Sequence, residues 1–332
     1  MRRLAVSLSV SVLICLVVLA ALAQLSPWPG VYALRFLFNH DAAQTNAALA
    51  PLLPPDRVEY LDLPYGPDPR ERLDLFLPPG EAPPEGWPVL IWVHGGAFVA
   101  GQKEDVGNYL RLLAKQGFAT IAPDYSRAPG ARHPVPTAQL LEALLWIKAA
   151  ARDRPIDPAR IVLAGDSAGS HIALQAAIAL HDPAYARDLG LRPLVEAQAI
   201  RGLALFCGIY DLPQDPGRGA TGLVLRTAAW AYLGAADPAE APAAKGFPLL
   251  PRLPETLPPV FISAGNADPL LPQSRNLSEM AAAKGIVTDT LFFAEDHAPP
   301  LGHEYQFTLD AAGETARTRL LAFLTKVTAR AD

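Results

Sequence analysis

Residues 159–180 read ARIVLAGDSAGSHIALQAAIAL, a strand-like apolar run, a five-residue turn with glycine at each end, and an alanine-rich stretch of helical character. This join constrains the fold more than any other feature. A strand that passes straight into a helix must turn sharply, and glycines at 165 and 169 remove the Cβ atoms that would strike neighbouring backbone. Ser167, at the apex, is pushed out at the carboxyl end of its strand, where the helix N-terminus favours negative charge.

The flanking pattern supplies the sheet that such a turn needs. Segments 57–66 and 71–80 alternate apolar and polar residues across a Gly/Pro/Asp-rich turn, as a partly exposed antiparallel pair does. Continuously apolar strands are then predicted at 88–94, 118–125, 159–165, 201–208, 258–265 and 288–293. Helical spacing lies between or after them at 106–117, 137–151, 168–180, 273–284 and 310–326. Strand, helix, strand in this order implies parallel pairing through right-handed crossovers, hence an α/β domain over 57–328 with a mostly parallel eight-stranded sheet and helices on both faces. Two stretches stand outside the alternation. Residues 24–56 carry a helix-like piece at 28–46, and 211–254 reads as an insertion over the sheet with one helical piece at 223–233.

Composition narrows the function classes. Of 332 residues 51% are hydrophobic and 18% charged, and the net charge is −5 with no basic stripe, so nucleic acid is not expected as a partner. Two cysteines, Cys15 and Cys207, rule out a disulfide framework, and Cys207 in the run LALFC reads as a small buried hydrophobe. The chain begins with Arg2 and Arg3, is apolar from Leu4 to Leu22, and reaches Ala21-Leu22-Ala23. This is the pattern of a signal peptide cleaved after Ala23, or of an uncleaved signal anchor that would be the only tie to a membrane. Either way the body is expected to be exported.

A serine hydroxyl at its ordinary pKa is a poor nucleophile, so a base must take its proton and an acid must orient that base. On a sheet with this elbow the partners follow in the order serine, acid, histidine. His40, His94 and His133 precede Ser167, and His171 and His181 come before any acid that follows a later strand. His297 and His303 remain. Asp268, three residues beyond PPVFISAG, is the favoured acid, with Asp211 one strand earlier as the alternative. His303, after Gly302 and before EYQF, is the favoured base, with His297 in the same loop as the alternative. The negative oxygen of an acyl-transfer intermediate needs donors beside Ser167. The N–H of Ala168 is one, and Gly95 and Gly96, at the end of the strand PVLIWVH, are predicted to be the others. His94 is then a buttress of that loop.

HGGAF at 94–98, DYSRAPGARHPVP at 124–136, GDSAG at 165–169 and the Asp268 loop together resemble the hormone-sensitive-lipase-like (type IV) esterases of the α/β-hydrolase superfamily over residues 57–328. The resemblance implies a cofactor-free serine hydrolase of carboxylesterase type, acting on small acyl esters under a helical cap. It departs from the usual pattern at Ala97, where many members carry glycine, at Ser170 and His171, and in the longer His303 loop. The competing readings are an amidase or formamidase using the same triad, and a ligand-binding module on the same fold without turnover.

Overall fold

The computed structural model describes residues 23–212 and 217–330. Of the candidate signal or anchor segment 1–23, residues 1–22 lie outside the described residues. Eight strands form one sheet in the order β1-β2-β4-β3-β5-β6-β7-β8. They are β1 Val58–Pro64, β2 Arg72–Leu77, β3 Trp87–Val93, β4 Ala119–Pro123, β5 Ile156–Asp166, β6 Ile200–Phe206, β7 Val260–Ala264 and β8 Thr288–Phe292. β2 runs antiparallel to both β1 and β4, and every other pairing is parallel.

The central strand β3 shows why its sequence is continuously apolar: successive side chains enter two different cores. Val89, Ile91 and Val93 face a core shared with helices α3 (Val135–Ala150) and α4 (Ala168–His181). Leu90 and Trp92 face a second core with α2 (Gly107–Ala114) and α8 (Ala311–Thr328). Short α5 (Pro183–Asp188) was absent from the sequence expectation, although its start signal is plain. Asp182 accepts hydrogen bonds from the N–H groups of Ala184 and Tyr185 at 3.0 Å each, with proline at the first position. α7 (Leu271–Ala283) follows β7.

The two segments outside the alternation each supply one long helix. α1 spans Trp28–Leu49, three residues beyond its expected end, and α6 spans Gly219–Leu233, beginning four residues earlier than expected. The two pack together, and a Cβ on Gly30 would meet Thr227, so glycine sets their close approach.

Beside α4, two buried imidazoles lie among aromatic rings. His171 stacks on Phe247 at 4.2 Å between centroids, with its Nδ1 3.0 Å from the Ile209 carbonyl, and His133 Nε2 lies 2.8 Å from the Gln175 amide. Burial pushes His133 down to about 4 and His171 down to about 3. Both are neutral when folded and gain protons on unfolding. Their contribution is complete above the unfolded value near 6.5 and is lost as pH falls through the window down to about 4 and 3. By pH 5 the loss is about 2 kcal/mol for each ring. Urea midpoints are therefore expected to fall between pH 7 and pH 5, with a shallower slope in His171→Phe.

Candidate active site

The elbow is built as its sequence requires. Ser167 caps α4 with φ 52° and ψ −119°, a left-handed backbone that a non-glycine residue adopts only when its surroundings enforce it. Its N–H donates to the Phe206 carbonyl at 2.9 Å, tying the turn to β6. A Cβ at Gly169 would collide with the Val93 carbonyl, and one at Gly165 would strike Gly169. Ser170, a departure from the related pattern, is a staple. Its hydroxyl lies between the carbonyls of Gly165 (2.6 Å) and Phe206 (2.8 Å) and accepts from the Phe206 N–H.

Ser167 and His303 line one cavity of about 540 Å³. His303 Nδ1–H donates to both Asp268 oxygens, at 3.0 and 3.1 Å, and Asp268 is itself buried. Asp268 is fixed in turn by the Leu270 N–H at 2.8 Å. The alternatives lie elsewhere. His297 rests against Phe293 at 4.8 Å, its carbonyl held by Asn266, and does not line the cavity. Asp211 accepts from the Leu212 N–H and stands beside Gln273.

Burial opposes a charge on His303, but the neighbouring Cys207 sulfur and Asp268, followed by Glu304, outweigh it and hold the imidazole well above its ordinary value. Cys207 packs behind this ring, and burial pushes its thiol up to about 11, so it stays protonated. Its sulfur, an Asp268 oxygen and a His303 nitrogen lie within 4.8 Å of one another, the one grouping among the described residues with a metal-ligand spacing. The hydrogen-bonded Asp268–His303 pair accounts for that closeness without a metal.

His94 buttresses the glycine loop. Its Nδ1 lies 2.7 Å from the Gly95 carbonyl and its Nε2 3.2 Å from Asp124, and its ring stacks on Tyr125 at 4.3 Å. The expected donors Gly95, Gly96 and Ala168 all line the cavity, and the Gly95 N–H hydrogen-bonds the Asp166 carboxyl. Gly96 (φ 110°), Ala97 (φ 52°) and Phe98 (φ 63°) are all left-handed.

Sequence reasoning missed Glu304. It follows His303 in a left-handed conformation (φ 59°), its Oε1 lies 3.9 Å from His303 Nε2, and it hydrogen-bonds Asp166. Burial and the Glu304 charge together hold the Asp166 carboxyl well above the usual carboxylate range, and Trp92 Nε1–H donates to its other oxygen at 2.7 Å. The two carboxyl groups therefore meet beside His303. The only sequence signal was a charged residue next to a candidate histidine, which is commonplace on loops. Glu304→Gln is expected to shift the acid limb of the pH profile of kcat/KM downward and to lower its plateau about tenfold, or 1.4 kcal/mol. An unmoved limb would mean that Glu304 does not act on His303.

The remaining lining is mostly apolar, with Asp41, Thr45, Asp105, Thr221 and Thr308 among it. α1 contributes Phe38 and Ala42, α6 contributes Val224 and Tyr232, and Phe247 and Phe307 close the sides.

The fold agrees with the comparisons. A profile described as the alpha/beta hydrolase fold matches residues 90–297. Esterase LipQ of Mycobacterium tuberculosis (strain ATCC 25618 / H37Rv) is 29% identical over 271 residues, 79% of this chain, and the match spans 59% of that relative's own length. Among solved structures, esterase B from Lactobacillus rhamnosis superposes with TM-score 0.75 at 21% identity, over 90% of this chain and 96% of its own. A bacterial heroin esterase superposes with TM-score 0.69 at 23% identity, over 94% and 97%. The chain belongs to the α/β-hydrolase fold family, and within it resembles the hormone-sensitive-lipase-like esterases whose glycine loop and serine elbow it carries.

Proposed function

We propose that the protein is a serine carboxylesterase, exported from the cytoplasm, that hydrolyses small, neutral acyl esters through an acyl-enzyme. The observation that carries the reading is the hydrogen-bonded His303–Asp268 pair in the same cavity as the strained Ser167. Ser167 Oγ attacks the ester carbonyl while His303 Nε2 takes its proton. The proton then passes to the leaving alcohol, and a water activated by the same nitrogen cleaves the acyl-enzyme. Asp268 holds Nδ1–H and stabilises the imidazolium. With the Gly95 N–H turned to Asp166, the oxyanion is received by the N–H groups of Gly96, Ala97 and Ala168.

The cavity, at about 540 Å³, falls within the usual range for small-molecule sites, and its mostly apolar lining suits an uncharged acyl chain. The test is a panel of p-nitrophenyl esters of graded acyl length, with an anilide and a formamide, alongside stoichiometric labelling of Ser167 by an alkyl phosphonate. Ester turnover with a single phosphonylated serine is the expected result. Faster anilide or formamide cleavage would replace the esterase reading with an amidase one.

A further inference from the structure

α1 has two working faces. Phe38, Ala42 and Thr45 line the catalytic cavity, and Val31 and Leu34 are buried beside them. The opposite side carries Trp28, Tyr32 and Phe36 at four-residue spacing, 39%, 63% and 76% exposed, with Leu37 at 54% and, just before the helix, Leu25 at 79%. Trp28 stacks on Tyr32 at 5.5 Å, and Phe36 on His40 at 6.5 Å. A soluble helix normally shows charge on such a side. Along these 22 residues the formal charges are Arg35 and Asp41 alone, and Arg35 turns inward to the carbonyls of Val99 (2.8 Å) and Ala128 (3.0 Å). Leu223 of the neighbouring α6, 59% exposed, adds to the apolar surface of this pair of helices.

We propose that this face of α1 lies on a lipid bilayer and seats the cavity mouth at the membrane surface, so that the enzyme draws lipophilic esters from the bilayer. Two features select the bilayer as occupant. The apolar run of residues 4–22 ends a few residues before Trp28 and has about the length that crosses a hydrocarbon core, so the chain that feeds α1 is suited to lipid. The stripe also combines apolar rings with the polar tips of Trp28 and Tyr32, the pairing favoured at a membrane interface. α1 is thereby a surface-lying helix whose inner side is the wall of the active site, and no described helix is long and apolar enough to cross the membrane. The substrate part of this inference rests on the esterase reading, but the docking part does not.

The test uses the full chain carrying Cys15→Ser, with an environment-sensitive fluorophore on Phe36→Cys or, as a control at the opposite end of the sheet, on Asp153→Cys; buried Cys207 stays unlabelled. With phosphatidylcholine vesicles, the Phe36 label is expected to shift to the blue and to be quenched by lipid nitroxides placed near the headgroups, while the Asp153 label stays in water. A Phe36 label that remains in water while residues 1–22 hold the protein on the vesicles overturns the proposal. So does a shift that appears without vesicles and grows with protein concentration, which would assign the face to a second copy. In a second arm, the double variant Tyr32→Ser/Phe36→Ser is expected to keep its kcat/KM on a water-soluble short ester, and to lose about tenfold on a long-acyl ester dissolved in the vesicles. Equal losses on both esters overturn the substrate part. If the unaltered chain hydrolyses neither ester, the esterase reading fails and the fluorophore arm still decides docking.

Discussion

Ser167→Ala is expected to lower kcat on a short p-nitrophenyl ester by about 10⁵- to 10⁶-fold, the scale seen when a serine hydrolase loses its nucleophile. The fold should survive the change. The strain at this residue belongs to the backbone, which is held by the Ser167 N–H to the Phe206 carbonyl and by the Ser170 hydroxyl between Gly165 and Phe206, and alanine leaves all of these contacts in place. The variant should therefore keep its thermal midpoint while losing turnover and phosphonate labelling. Activity within about tenfold of the parent would remove Ser167 from the nucleophile role, since binding and oxyanion donors alone leave only about 10³- to 10⁴-fold catalysis over water.

The second large effect separates the two late histidines. His303→Ala is expected to cost about as much as the serine change, because the two act as one unit. Asp268→Asn should cost about 10⁴-fold by presenting the wrong tautomer of His303 to the serine. His297→Ala is expected to leave kcat/KM within about twofold of the parent, since that ring packs on Phe293 away from the cavity. Reversal of the two histidine results would exchange their roles and would also dissolve the link between His303 and Glu304.

The distinction between these histidines shows where sequence reasoning stops. His297 and His303 share one loop after β8 and follow the acid in the required order, so chain order cannot separate them. Asp268 separates them in space: a base must reach the serine and the acid together, and the position of a ring six residues along a loop depends on how the whole loop packs. Here Asn266 holds His297 by its carbonyl and the Leu301 N–H by its side chain, and Tyr305 bonds Ser263 at 2.6 Å, which leaves His303 facing Asp268. The Asp166–Glu304 pair was hidden for the same reason. Its members come from the elbow and from the far loop, and only the closed sheet brings their oxygens together.

What the chain determined by itself was local in origin. The alternation of apolar runs with helical spacing, the glycines that bracket Ser167 and the HGGAF loop each follow from contacts within a few residues or from burial on both faces of a strand, so the α/β architecture and the candidate nucleophile were legible. Tertiary structure decided the rest. It brought His303 rather than His297 to Asp268, turned the Gly95 N–H to Asp166, placed the Glu304 carboxyl beside His303, and set which side of α1 faces the cavity. The four-residue spacing of Trp28, Tyr32 and Phe36 would suit a buried stripe equally well. Val31 and Leu34 take the inward side and Gly30 fits against Thr227 of α6, and the aromatic stripe is thereby left facing out.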